Sequence, residues 1–364
     1  ACVVIGNSAD YVGGGGCGGQ YYNCIFSNNL AVSGGGVYVG ILQQCMLQNN
    51  EAEQGGAAWG DELTDCTVEN NMARANGGGV WNGVVKDSRI QGNRAQIHGG
   101  GLYRGTAEHC VIAGNSACYG GGACDGSLIR CVVMDNRAAS SGGGVIGSSL
   151  GTCVVAGNFA SLGGGANDSD LAHCTVVGNS ANKGGGTYGG FVRNSIVYDN
   201  KANSGSNYQS CTISGTCTAP LPSGAGNISE MPQLVSLSHL ASNSPCIGAG
   251  TTTVSEIDFD GDAWMNPPSM GCDEPTSGSC TGNMSVGILA DFTNTTPGRM
   301  LSFYADIGGK PTASEWHWED GSTTSNQPCV MRAFAANGDY PVHLVAYNDD
   351  NESGISTTTT VHVS

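Results

Sequence analysis

The chain has 364 residues, of which 60 are glycine, 13 lysine or arginine and 30 aspartate or glutamate, giving a formal net charge of −17. So acidic a chain excludes nucleic acid as a partner, because phosphates demand a basic face, and it holds no apolar run near the ~18 residues of a membrane span. Glycine lacks the period of three that collagen needs, each interior glycine would cost a helix about 1 kcal/mol, and 39% apolar residues still suffice for a core; what remains is a folded chain without long helices.

The first 205 residues are a repeat. Asn-x-Ala recurs at Asn7, Asn29, Asn50, Asn71, Asn93, Asn115, Asn136, Asn158, Asn179 and Asn200, always 21 or 22 residues apart. A glycine triplet follows in most units, as at Gly34-Gly35-Gly36 and Gly184-Gly185-Gly186; Gly55-Gly56-Ala57 is a near miss and the tenth unit loses it. Five residues before each Asn stands Cys or Ser (Cys2, Cys24, Cys45, Cys66, Ser88, Cys110, Cys131, Cys153, Cys174, Ser195), and three before it a large apolar residue, from Val4 and Phe26 to Val197. The step of two from Cys to aliphatic is a strand period that puts both side chains on one face.

A unit of this length, made of short strands separated by Gly and Asn turns, closes into one coil, and stacked coils pair each strand with its equivalent. The expected fold is therefore all-β: a right-handed parallel β-helix of about ten coils of 21–22 residues over 1–205, roughly 50 Å long at about 4.8 Å per coil. Asn and Gly tolerate positive φ, which suits them to the corners. A leucine-rich repeat would need its Leu-x-x-Leu-x-Leu frame, and a propeller about 40 residues per blade; neither fits.

Over 206–279 the period fades into an irregular cap. Ser244-Pro245-Cys246-Ile247-Gly248-Ala249-Gly250, Asp258-Phe259-Asp260-Gly261-Asp262 and Met270-Gly271-Cys272-Asp273-Glu274 resemble the tail that ends many bacterial secreted β-helix repeat proteins. That resemblance implies architecture more than activity, since such proteins include adhesins, polymorphic surface proteins and pectate-lyase-like enzymes. Residues 280–364 turn to Thr/Val alternation. Glu315-Trp316-His317-Trp318-Glu319-Asp320-Gly321 and Gly338-Asp339-Tyr340-Pro341-Val342-His343-Leu344 resemble a PKD domain, with Glu319 where that pattern expects Gly. The resemblance implies an immunoglobulin-like sandwich that serves as an extracellular spacer or binding module.

Of 17 cysteines, eight occupy the ladder position. Stacked coils hold their Cα–Cβ vectors parallel, whereas a disulfide wants a dihedral near 90°, so these are expected to be reduced filler. Among the other nine, close spacing suggests Cys118–Cys124 and Cys211–Cys217, with Cys246–Cys272 pinning the cap, Cys280–Cys329 stapling the C-terminal module and Cys17 left over. Catalytic carboxylates on a β-helix should cluster on one outer face; Glu51, Asp61, Asp87 and their like are scattered, and His98, His109 and His173 are isolated. No catalytic residue and no organic cofactor is assigned. Asp258, Asp260 and Asp262 have the alternate-carboxylate spacing of calcium loops, although Gly261 falls one position early for an EF-hand.

The expected function is that of a secreted or cell-surface structural or adhesive protein, with a carbohydrate-active enzyme as the alternative. Its expected partners are further copies of itself, carbohydrate or other surface proteins. Ala1 opens inside the pattern, with Cys2 and Val4 already in ladder register and Cys17 close by. A mature or partial product is expected from this, and an uncapped end would be a template for head-to-tail addition.

Overall fold

The computed structural model describes residues 1–251, 257–275, 280–290 and 292–364; the cap–sandwich boundary expected at 279 lies outside them. All regular structure among these residues is β, and no helix is long and apolar enough to cross a membrane. Each coil has four short strands, and equivalent strands stack into four sheets of 11, 9, 10 and 10 strands. The first sheet runs from Val3–Ile5 to Cys217–Thr218, the second from Leu30–Ser33 to Lys201–Ser204, the third from Gly16–Cys17 to Tyr208–Gln209 and the fourth from Gln20–Tyr22 to Thr212–Ser214. Pairing is parallel and in register, so Phe26, Leu47 and Val68 stand over one another. The coiling outlasts the repeat signal: strands continue past 205 to Thr218. The chain then closes the last coil through Gly215 N–H to the Ala225 carbonyl and Thr216 N–H to Asn227 Oδ1.

The repeating asparagines form one buried line. Asn136 Oδ1 accepts the N–H and the Nδ2–H of Asn115 at 2.9 and 3.0 Å, while its own Nδ2 donates to the Ile112 carbonyl and to Asn158 Oδ1 at 2.8 and 3.0 Å. The amide chain runs unbroken from Asn7 to Asn200. The positive φ expected at these residues falls one position earlier, at Asn28, Asn49, Asn70, Asp135 and Asp199 and at five glycines, among them Gly114 (φ 63°). The ladder Asn is thus selected for its amide and the residue before it for the left-handed turn.

Each glycine of the triplet has its own reason. The first turns the chain: Gly120 has φ 63°. The second is pressed by the next coil, since a Cβ on Gly121 would lie 2.5 Å from the Gly143 oxygen and 2.6 Å from the Arg137 carbonyl. The third abuts the next coil's ladder amide, since a Cβ on Gly122 would lie 3.0 Å from Asn136 Nδ2, and it is the slot that Ala57 fills in the near miss. In the last coil that slot is Asn207. No ladder Asn follows, so the Asn207 side chain takes its place, accepting from Asn200 and donating to the Ala219 carbonyl. The lost triplet of the tenth unit is the terminator of the amide line.

The ladder cysteines are thiols, as expected, and seven of the eight are buried; Cys2, in the first coil, is exposed. The slot is more selective than a filler position. Cys153 Sγ accepts the Cys131 N–H at 3.3 Å and donates to the Gly151 carbonyl at 3.2 Å. Ser195 Oγ makes the same pair with Cys174 N–H and the Arg193 carbonyl, and Thr216 continues it. Cys, Ser and Thr share what the slot requires, a small side chain that both accepts and donates. Mass-tagging of native protein is expected to modify Cys2 and Cys17 while Cys24, Cys45, Cys66, Cys110, Cys131, Cys153 and Cys174 react only after unfolding; rapid native labelling of these seven would contradict the packing.

One carboxylate is sealed inside the rod. Asp61 is 1% exposed, its Oδ1 accepts the Gly40 N–H, and its Oδ2 finds no hydrogen-bond partner among the described residues. Burial raises its pKa to about 8. The folded value thus exceeds the unfolded value of about 3.9, so its stabilising contribution is complete below pH ~4 and fades as pH rises through about 8. Melting temperature is expected to fall from pH 5 to 9, and Asp61→Asn to flatten that slope; an unchanged slope would remove Asp61 as its source.

The segment after the rod returns along its flank. On the first sheet the fourth and fifth coils carry polar outward residues, Thr67 and Glu69 or Arg89 and Gln91, while later coils carry Val154 and Ala156 or Ile196. Leu234, Leu237 and Leu240 pack on Val154, Val177 and Ile196. Val235 and Ala241 of the same segment instead join Phe303, Trp316 and Leu344 in the C-terminal core. One stretch of chain is shared by two cores and fixes the sandwich to the rod; Ser314 Oγ donating to the Val235 carbonyl at 2.8 Å adds a polar tie.

Candidate functional site

Between the returning segment and the sandwich lies a crevice of about 310 Å³, lined by His239, Asp260, Asp262, Asp273, Glu274 and Lys310 among others. His239 comes from the segment that is docked on both sides, so its backbone is fixed. Its Nδ1 lies 2.7 Å from Ser236 Oγ and 3.1 Å from Ser238 Oγ, and its Nε2 lies 2.9 Å from Asp260 Oδ2. Burial works against a charged imidazole, but Asp273 and Asp260 outweigh it and raise the His239 pKa. Burial pushes the Asp273 carboxyl up to about 7, with His239 opposing. Donor atoms of His239, Asp260 and Asp273 lie within 4.8 Å of one another.

The calcium expectation for Asp258, Asp260 and Asp262 is corrected here, because the three carboxylates diverge. Asp258 is fully buried; its Oδ1 accepts the N–H groups of Asp260, Gly261 and Asp262, and its Oδ2 that of Glu274. Asp260 turns to His239, and Asp262 to Lys310 at 3.4 Å. The Asp-x-Asp-Gly motif is a tight turn tied by Asp258, which leaves Asp260 free to face the crevice.

The disulfide expectations are also corrected. Cys118 and Cys124 stand on the second and third sheets, either side of the Gly120 turn, and both are thiols. Cys211 bonds Thr187 Oγ1 inside the coil, whereas Cys217 donates to the Glu230 carbonyl on the flank. Cys246 and Cys272 share the flank core as thiols, Cys272 accepting from Thr175 Oγ1 at 3.3 Å. Cys280 lines the crevice, while Cys329 lines a separate groove against Gly178 of the rod. For Cys118–Cys124 and Cys211–Cys217 sequence spacing misled because consecutive strands of a coil belong to different sheets. Of the expected assembly end, Cys2 and Cys17 are exposed and Val4 is half-buried against the rod core.

Several outward carboxylates of the rod meet bases one coil away: Glu51 with Arg74 at 2.7 Å, Asp87 with His109 at 2.8 Å, and Glu108 with both Lys86 and Arg130 at 3.2 and 3.0 Å. His98 stacks between Tyr103 and Tyr119, and His173 is buried against Trp264. His239 and Asp273 carried no individual signal in the sequence. Asp273 sits in the cap motif, and His239 in a segment given no role from the sequence.

The C-terminal module is a two-sheet sandwich. Ser285–Ala290, Met300–Gly308 and Cys329–Ala333 form one sheet; Asn294–Thr295, Ala313–His317, Thr323–Ser325, Gly338–Asn348 and Asn351–Val363 form the other. Trp316 is fully buried and its Nε1 donates to the Gln327 carbonyl at 2.9 Å. At the hairpin turn Ser322 and Arg332 hold the Asp320 carboxyl below the usual range, and Arg332 lies 4.8 Å over the Trp318 ring. Residues 292–363 match the family model of the PKD domain. The sandwich side of the crevice, formed by Gly309, Lys310, Pro311 and Thr312, therefore lies within the matched PKD segment. No curated protein matches the chain.

Proposed function

We propose that this protein is an extracellular or surface-displayed structural and adhesive module. The observation that carries the reading is the fixed seating of the PKD domain on the flank of a solenoid, through a segment whose side chains enter both cores. A domain held this way is presented at a constant height and orientation, which suits attachment better than a tethered spacer would. Head-to-tail association of copies belongs to the same proposal, because the edge of a parallel sheet is a template for a further strand; Asn207 terminates the amide line after the tenth coil, so the surface that meets the first coil would belong to the cap or the sandwich. The alternative of a polysaccharide lyase or hydrolase has less support, since Glu51, Asp87 and Glu108 on the rod are engaged in coil-to-coil ion pairs.

Incubation of the full chain with arrayed extracellular polysaccharides and matrix proteins tests this directly. Saturable binding with the ligand left intact is expected; release of new reducing or unsaturated sugar ends would overturn the reading in favour of the enzyme. Electron microscopy of concentrated protein tests the association, with end-on strings expected and isolated particles at every concentration refuting it.

A further inference from the structure

We propose that His239, Asp260 and Asp273 form a binding site for one divalent transition-metal cation of the Mn²⁺/Zn²⁺ class. One imidazole nitrogen and two carboxylate oxygens within 4.8 Å of one another are a donor set that such ions take at about 2.0–2.2 Å. Calcium and magnesium prefer oxygen alone, so the histidine selects against them.

Three further observations make this a built site. The imidazole is oriented from behind by Ser236 Oγ and Ser238 Oγ at Nδ1, leaving Nε2 directed at Asp260; metal-binding histidines are characteristically oriented by a hydrogen bond at the other ring nitrogen. Charge in the crevice is unbalanced: Asp260, Asp262, Asp273 and Glu274 line it, against Lys310 and His239. Lys310 is already engaged by Asp262, and Glu274 by the Ser269 N–H and hydroxyl. That leaves two carboxylates facing one imidazole, an anionic excess that a divalent cation neutralises. Finally, the crevice of about 310 Å³ in front of the three donors has room to complete the coordination shell with water or a ligand group. The bound ion would cross-link the doubly docked segment to the Asp258–Asp262 turn and to the cap motif. The rival arrangement is an imidazolium that bridges both carboxylates and leaves no place for a metal.

The two are separated by titrating the chelator-treated full chain with Mn²⁺, chosen because the many thiols of this chain bind it poorly, and following free Mn²⁺ by electron paramagnetic resonance. One equivalent is expected to bind and to raise the melting temperature. Asp273→Asn and His239→Gln are each expected to weaken binding by about a hundredfold, while His109→Gln, at an exposed rod histidine, leaves it unchanged. Asp260→Asn, at the partly exposed rim, gives the same answer if a buried substitution prevents folding. No saturable Mn²⁺ site in the parent protein, or one that persists undiminished in these three crevice variants, would overturn the proposal.

Discussion

Asn136→Ala is expected to destabilise the solenoid by roughly 3–5 kcal/mol, although it removes only one small amide. The side chain sits mid-rod, 1% exposed, and makes four hydrogen bonds. Alanine strips the Asn115 N–H and Nδ2–H of their shared acceptor and the Ile112 carbonyl of its side-chain donor, and it leaves Asn158 Oδ1 short of one partner. Each buried polar group left unsatisfied costs about 1–3 kcal/mol, and water cannot enter a line closed by coils above and below. Asn136→Asp separates accepting from donating: a carboxylate can take both bonds from Asn115 but gives none to Ile112 or Asn158, and it puts a charge in a dry site. It is expected to be at least as damaging as alanine, with the loss growing as pH rises. Urea unfolding followed by circular dichroism measures both. A loss below about 1 kcal/mol for Asn136→Ala would mean that the amide line contributes little beyond its backbone corner.

The contrast between what the sequence declared and what it concealed follows from how local each signal is. Coil length, the Cys and aliphatic ladders and the amide line repeat ten times, so one misread unit is outvoted. The PKD domain was legible because Trp316, Trp318 and the Tyr340–Leu344 alternation are a compact local pattern. Where Asn-x-Ala stopped at Asn200, the apparent end of the rod preceded the real one, because Asn207 closes the ladder from a slot that had held glycine. The flank contact left little trace: Cys153-Val154-Val155-Ala156 is a continuous apolar run of the kind that strands covered on both faces show, but so is Cys2-Val3-Val4-Ile5 of the first coil, whose outward Val3 and Ile5 are exposed. The crevice left almost none. His239, Asp260 and Asp273 come from three irregular segments, and only the fold-back of the chain brings them together. The same topology defeats disulfide assignment from spacing, since six residues along a coil, as between Cys118 and Cys124, lead around a corner to another sheet.

The second glycine of the triplet is where the rod should be least forgiving. Gly121→Ala places a methyl 2.5 Å from the Gly143 oxygen and 2.6 Å from the carbon and oxygen of the Arg137 carbonyl. All three are backbone atoms of the next coil, fixed by that coil's own parallel pairing, as in Ala123 N–H to the Gly144 carbonyl. No rotamer relieves the contact; the coils must separate locally, which lengthens the Asn115–Asn136 bonds alongside. Overpacking commonly costs about 1–3 kcal/mol where side chains can adjust, and here the expectation is about 3 kcal/mol or more. Gly122→Ala is the matched control. Its Cβ also meets the next coil, at 2.7 Å from the Gly144 oxygen, but the equivalent slot already holds Ala57 in the third coil, buried and accommodated. The order of urea midpoints is therefore expected to be parent, then Gly122→Ala, then Gly121→Ala by a wide margin. Equal midpoints for the two variants would show that the coils can spread by a few tenths of an ångström at little cost, and that the triplet is retained for its turn at Gly120 alone.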